Sequence, residues 1–298
     1  MGRKKVLLLG NGLNRAFGGL SWGELMSRIN TSVYDAKKLT CPMLLQAILV
    51  TQDHIGQIMK GYKAGENPFY GSVESEELRG MLRKLLLAGF SDILTTNYSY
   101  ELEIAATGNM QVSDRHLIHT CRTSVPGKRK EPKYLLHTYQ KVEYDHVENR
   151  VWHIHGEARK PDSMILGHYY YAALLNRIVS YVNKRGSDYQ NGDGAIKSWI
   201  DSFLLGDVYV HGYGLDYSEM DLWWLLNRKK RENAEHGRVF FFTPDRDVEK
   251  EGLLSLLDVD VSHSGSGKAA KKADEGARYK AFYESAIREI LDRMRFDE

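Results

Sequence analysis

The sequence predicts an α/β protein built on a parallel sheet with helices on both faces. Three observations predict it. Residues 6–9 (Val-Leu-Leu-Leu) are apolar without alternation, the mark of a strand buried on both faces. Similar runs recur at 92–97, 151–156, 207–212 and 238–243, and most end in a polar or glycine tip. Helical patterns separate them, and strand, polar tip, helix is the repeating unit of a doubly wound sheet. The class is a Rossmann-like parallel sheet with helical and loop insertions.

In chain order, residues 6–9 are the first strand, and Gly10-Asn11-Gly12 turns the chain. A helix follows, with Trp22, Leu25, Met26 and Ile29 at helical spacing and Ser21 as its N-cap. Residues 40–60 and 76–89 read as helices. In the second, Leu78, Met81, Leu82, Leu85 and Leu86 form one stripe and Gly89 closes it. Residues 92–97 are the second strand, and 99–106 are helical. Residues 110–150 are polar and read as an insertion over the sheet's edge or mouth. There Lys128-Arg129-Lys130 lies in a turn between Pro126 and Pro132, and 134–144 suits a hairpin arm. Residues 151–156 are the third strand and its tip, and 169–184 and 195–205 are helices. The fourth strand and its glycine turn are 207–212, a helix covers 220–230, and the fifth strand is 238–243. The Gly/Ser/Lys-rich stretch at about 262–277 reads as a flexible loop. A terminal helix at about 277–295 carries Phe282, Ala286, Ile287, Ile290, Leu291 and Met294 on one face. Residues 1–298 are read as a single domain.

Composition excludes several classes. The 298 residues are 42% hydrophobic and 27% charged, a globular balance. The net charge of +2, from 41 basic and 39 acidic residues, gives no global pull toward nucleic acid or acidic lipid. The cysteines, Cys41 and Cys121, form no CxxC pairs, so a thiolate zinc knuckle is excluded and both are expected to be reduced. The apolar run after the basic start is too short for a signal peptide, and no run approaches membrane-spanning length. The expectation is a cytoplasmic protein.

Four patches carry the chemistry. In Gly10-Asn11-Gly12-Leu13-Asn14, the glycines let backbone approach a diphosphate closely at a helix N-terminus. An ordinary strand-to-helix turn has the same appearance. Position 15 is Arg where a dinucleotide fingerprint has its third glycine, and no acidic residue ends a second strand about 20 residues on, which disfavours a simple dehydrogenase. In Thr95-Thr96-Asn97-Tyr98, the Asn97 amide can hold ribose hydroxyls or a water, or cap the next helix. In His153-Ile154-His155-Gly156, His155 at a strand tip can take a proton at neutral pH. His153, two residues earlier, would share its strand face. With no third ligand evident, no metal is expected there, and His116 and His119 are read as structural. His211-Gly212-Tyr213-Gly214-Leu215 repeats the strand-and-glycine pattern. Trp223, Trp224 and Tyr169-Tyr170-Tyr171 read as packing, and Arg228-Lys229-Lys230-Arg231 as a solvated helix end.

In this order the patches resemble the bacterial sirtuin-like NAD hydrolases of antiphage defence systems, and more distantly the sirtuin deacylases. Gly-Leu-Ser-Trp-Gly-Glu-Leu at 19–25, Pro161, Ile165-Leu166 and Asp221-Leu222 extend the likeness over about residues 5–245. The resemblance implies that Gly10, Asn11, Gly12, Leu13 and Asn14 line the diphosphate and ribose, with Trp22 walling the site and Thr96 beside them. Asn97 would hold the nicotinamide ribose or the attacking water, and His155 would be the base. Gly212, Tyr213 and Gly214 would cradle the adenosine side. NAD would be the substrate, with no metal.

The departures are specific. The zinc ribbon of the deacylases is absent, which argues against histone-like peptide substrates. Ser99 stands where related sequences often carry Asp near the nicotinamide, and Gly214 replaces a frequent Ser. The expectation is an NAD glycohydrolase that releases nicotinamide and ADP-ribose as the NAD-depleting effector of an antiphage system. It would be gated by homo-oligomerisation, a partner ATPase or a phage-sensing protein. An NAD-dependent deacylase and a non-catalytic NAD or ADP-ribose sensor are the alternatives.

Overall fold

The structure, a computed structural model, describes residues 3–29, 75–108, 118–120, 134–158, 160–186, 189, 195–232, 237–264 and 275–296. The helix expected over 40–60, Cys41, Cys121, His116, Lys128-Arg129-Lys130 and most of the 262–277 stretch lie outside the described residues.

The described strands are β1 (Lys5–Leu9), β2 (Asp92–Thr95), β3 (Ile118–Thr120), β4 (Thr138–Tyr144), β5 (Val147–His153), β6 (Asp207–His211), β7 (Val239–Phe242) and β8 (Val259–Ser262). They form one sheet in the order β3-β4-β5-β2-β1-β6-β7-β8. The strands from β5 through β8 in that order are mutually parallel, and β4 is antiparallel to both β3 and β5. The helices are α1 (Gly12–Arg15), α2 (Trp22–Ile29), α3 (Glu76–Leu86), α4 (Glu101–Thr107), α5 (His168–Lys184), α6 (Trp199–Leu205), α7 (Met220–Glu232), α8 (Val248–Leu256) and α9 (Glu275–Phe296). Among the described residues, no helix is long and apolar enough to cross a membrane.

Both faces of β1 are buried, and its alternation sorts the core. Val6 and Leu8 join Trp152, Leu174, Trp199 and Leu225 in one layer. Leu7 and Leu9 join Leu78, Leu82, Phe282 and Ile287 in the other. This is why the strands read as unbroken apolar runs.

Register then fixes the site. Leu9 pairs with Thr95 on one side and His211 on the other, and Thr95 pairs with His153. Four strands therefore end level, and the four patches emerge side by side. The chain steps from β1 to β2 on one flank and returns to β6 on the other. The carboxyl ends of β1 and its neighbours form the crevice at which open α/β sheets bind ligands.

Three expectations are corrected. The third strand begins at Val147, because residues 134–150 extend the sheet edge as a hairpin. Its turn residues, Asp145 and His146, both have positive φ, as a tight two-residue hairpin requires. An eighth strand, β8, and its preceding helix α8 follow β7, where the sequence pattern had ended the sheet at a fifth strand. Lys229 is not solvated. It is 4% exposed, and its ammonium donates to the carbonyls of Phe203, Leu204 and Gly206 at 2.9, 3.0 and 2.6 Å. It caps the C-terminal end of α6, where carbonyls lack partners of their own.

Candidate active site

The two glycine turns are joined to each other. Gly10 N donates to His211 O at 2.9 Å, and Gly12 N donates to Gly212 O at 2.6 Å. A Cβ on Gly10 would stand 2.5 Å from Gly212 O and 2.7 Å from Tyr213 Cα. A Cβ on Gly12 would collide with the Tyr283 hydroxyl of α9. The glycines are thus required by the close approach of the β1 and β6 tips, and these two amides are spent inside the protein. Gly212 itself has φ +66°, a conformation glycine adopts without strain.

The turn sets the next wall. Asn11 Nδ2 donates to Leu20 O at 2.7 Å, and Asn14 Nδ2 donates to Asn11 Oδ1 at 3.3 Å. This ties α1 to the loop before α2. Ser21 and Glu24 form a reciprocal cap at the start of α2: Glu24 N donates to Ser21 Oγ at 3.2 Å and Ser21 N to Glu24 Oε2 at 2.8 Å. That cap fixes Trp22, whose indole Nε1 is buried without a partner among the described residues.

At the β2 tip, Asn97 N donates to Thr95 Oγ1 at 3.1 Å. The side chain does not cap α4, whose N-cap is Tyr100 without a side-chain hydrogen bond. Asn97 is 7% exposed, and its Oδ1 is buried with no partner among the described residues. An orphaned acceptor of this kind costs about 1–3 kcal/mol and calls for a ligand or water.

The two histidines part company, against the expectation that they share a face. β5 ends at His153, and the chain turns before Gly156 at φ +93°. His153 points into the α4 layer, with Nε2 at 3.0 Å from Glu103 Oε1 and Nδ1 donating to Asn97 O at 2.9 Å. Burial pulls its pKa down, but Glu103, Glu157 and the Asn97 carbonyl outweigh that and hold it at about 9. His153 is therefore an imidazolium that buttresses the Asn97 backbone. His155 faces the other layer. Its Nε2 lies 2.8 Å from Asp221 Oδ2 on α7, and its Nδ1 lies 3.2 Å from the Tyr171 hydroxyl on α5.

These walls enclose a cavity of about 360 Å³, within the range of small-molecule sites. Asn11, Gly12, Trp22, Thr96, Asn97, His155, Gly212, Tyr213 and Gly214 line it. Gly10, Leu13 and Asn14 do not: Leu13 is in the core, and Asn14 is buried beneath Gly19. Three residues with carboxyl groups also line the cavity, Glu101, Asp216 and Glu219. Burial raises Glu101 to about 7, against the hydrogen bond from Ser99. Burial raises Glu219 to about 7 as well. Arg15 and Lys250 bring positive charge to the same space.

A family model described as SIR2-like domain matches residues 91–261, more than half of the chain. The chain belongs to the SIR2-like family. SIR2-like domains use NAD. The match begins one residue before β2, so β1 and the first glycine turn fall outside it. Yet β1 is paired on both sides within this SIR2-like sheet. No curated protein matches the chain.

Sequence reasoning missed Tyr171 as a partner of His155, and it missed Glu101, Glu219, Arg15 and Lys250 as lining groups. Asp221 stood out only as part of a motif. No local pattern links residues 16 or 66 positions apart, so only the packing of α5 and α7 against the β5 tip reveals the contacts.

Proposed function

We propose that this SIR2-like chain is an NAD glycohydrolase that cleaves the nicotinamide–ribose bond to give ADP-ribose and nicotinamide. The observation that carries the proposal is that Asn97 and His155, from separate strand tips, line one cavity together with both glycine turns. Cleavage develops oxocarbenium character on the ribose, and the nicotinamide departs neutral. Catalysis then needs a held substrate and an oriented nucleophile. The orphaned Asn97 Oδ1 accepts from a ribose hydroxyl or the attacking water. His155 takes the proton as water adds, and Asp221 stabilises the resulting imidazolium. Such a base contributes on the order of 10²–10⁴-fold.

Unchecked NAD consumption is lethal, so the activity is held in check by assembly or a partner, as suits an antiphage effector. Met220 on α7 and Val248 and Leu256 on α8 are apolar side chains left 53%, 86% and 74% exposed, available to such a contact.

The test is nicotinamide release from NAD by the purified protein, alone, concentrated and with candidate partners. Release that is lost in Asn97→Ala and His155→Ala is the expected result. Undiminished release in both variants would show that this cavity is not where the bond breaks. NAD bound in every assembly state but never consumed would make the protein a sensor.

A further inference from the structure

His155 is held at both ring nitrogens, and the chemistry of its partners sets which one carries the proton. Asp221 Oδ2, 2.8 Å from Nε2, belongs to a carboxylate that only accepts, so Nε2 carries the hydrogen. Nδ1 is then the lone-pair nitrogen, and it faces the Tyr171 hydroxyl at 3.2 Å. The Tyr171 and His155 rings meet edge-on, with centroids 5.0 Å apart at 70°. All three residues are buried: Tyr171 is 5%, His155 2% and Asp221 0% exposed. Tyr171 and His155 both line the cavity, so the phenol that engages the basic nitrogen also reaches the ligand space.

We propose that Tyr171 is the proton relay of the hydrolysis and that Asp221 is the positioning residue that selects the Nε2–H tautomer of His155. The inference rests on the hydrolase reading for its chemistry. As water adds to the ribose anomeric carbon, its proton passes to Tyr171 Oη. The Tyr171 proton passes to His155 Nδ1 in the same step. The C–N bond electrons go to the departing pyridinium nitrogen, leaving neutral nicotinamide. His155 is left as an imidazolium against Asp221 and later releases the proton to solvent. The two transfers must be concerted, because a free phenolate is costly here. Burial and the carboxylates of Glu219 and Asp221 hold the Tyr171 hydroxyl in its protonated form. The relay explains why the basic nitrogen of His155 is engaged by a hydroxyl that itself lines the cavity, where a merely packed ring would need no hydroxyl.

Two measurements test it. The first is ¹⁵N NMR of histidine-labelled full-length protein, with the His155 signals assigned by their loss in His155→Gln. The wild type should show an imine-type Nδ1 and a pyrrole-type Nε2. Asp221→Asn should move the proton to Nδ1, because the amide can donate to Nε2. A pyrrole-type Nδ1 in the wild type would overturn the assignment. The second is steady-state nicotinamide release by Tyr171→Phe, which keeps the ring and its packing. Turnover at saturating NAD should drop on the order of 10²-fold or more, with KM unchanged. Turnover equal to that of the wild type would overturn the relay. Absence of release from the wild type in every assembly state would count against the hydrolase reading, and with it the relay. The tautomer assignment is read without turnover and stands or falls separately.

Discussion

Gly12 N donates to Gly212 O at 2.6 Å, and this contact joins the turn after the first strand to the turn after the sixth. Residues 200 positions apart thereby make one floor for the cavity. The close approach leaves no room for a side chain at Gly10 or Gly12, which leads to the first prediction.

Gly10→Ala and Gly12→Ala should differ in how they can be relieved. At Gly10 the added methyl meets backbone, Gly212 O and Tyr213 Cα, which cannot move without separating β1 from β6. The expected cost is several kcal/mol, about 3 or more. At Gly12 an obstacle is the Tyr283 hydroxyl, so adding Tyr283→Phe should recover part of the loss. Urea denaturation of the two singles and the double variant measures this, and strict additivity would refute the steric account.

Asn97→Ala should separate function from stability. Its buried Oδ1 has no partner among the described residues, so little native interaction is lost at that atom. The midpoint of thermal unfolding should correspond to a change within about 1 kcal/mol. Nicotinamide release should fall by on the order of 10²-fold or more. A large loss of stability would mean that Asn97 serves the scaffold.

His153 should make stability pH-dependent. Its folded pKa of about 9 lies above the ordinary value of 6.5. A raised pKa means that the folded state binds the proton more tightly. The contribution is therefore complete below about 6.5 and is lost as pH rises through about 9. Its size is a few kcal/mol at most, roughly the free energy of the shift. His153→Gln cannot titrate, so the gap in Tm between wild type and variant should narrow by several degrees between about pH 6 and pH 9.5. A gap that stays constant would show that His153 is neutral in the native state.

Lys229→Met tests the buried ammonium. Methionine keeps most of the apolar stem but strands the three carbonyls at the end of α6. The expected destabilisation is roughly 2–4 kcal/mol. Arg231→Met, two residues along on an exposed position, should change stability by less than about 0.5 kcal/mol. Equal effects in chemical denaturation would restore the solvated-end reading.

The sequence by itself determined the class and most of the parallel sheet. Apolar runs such as 6–9 need burial on both faces, and only a sheet covered by helices on both sides supplies it. It also marked the tips, because glycines and polar residues at the ends of apolar runs are local signals. It could not tell that Gly10 and Gly12 serve each other's neighbours across the sheet, since a close backbone approach leaves the same residue behind as a ligand contact. It placed His153 and His155 on one face because alternation holds only while the strand continues, and β5 stops at His153. The strand β8 was missed because Val-Asp-Val-Ser is only four residues long and, at the sheet edge, lacks the unbroken apolar run of the buried strands. Tertiary structure alone decided which imidazole is charged, which faces Tyr171 and Asp221, and which lysine is buried. Those properties depend on desolvation and on charges brought close by packing, and neither is written in any local stretch of chain.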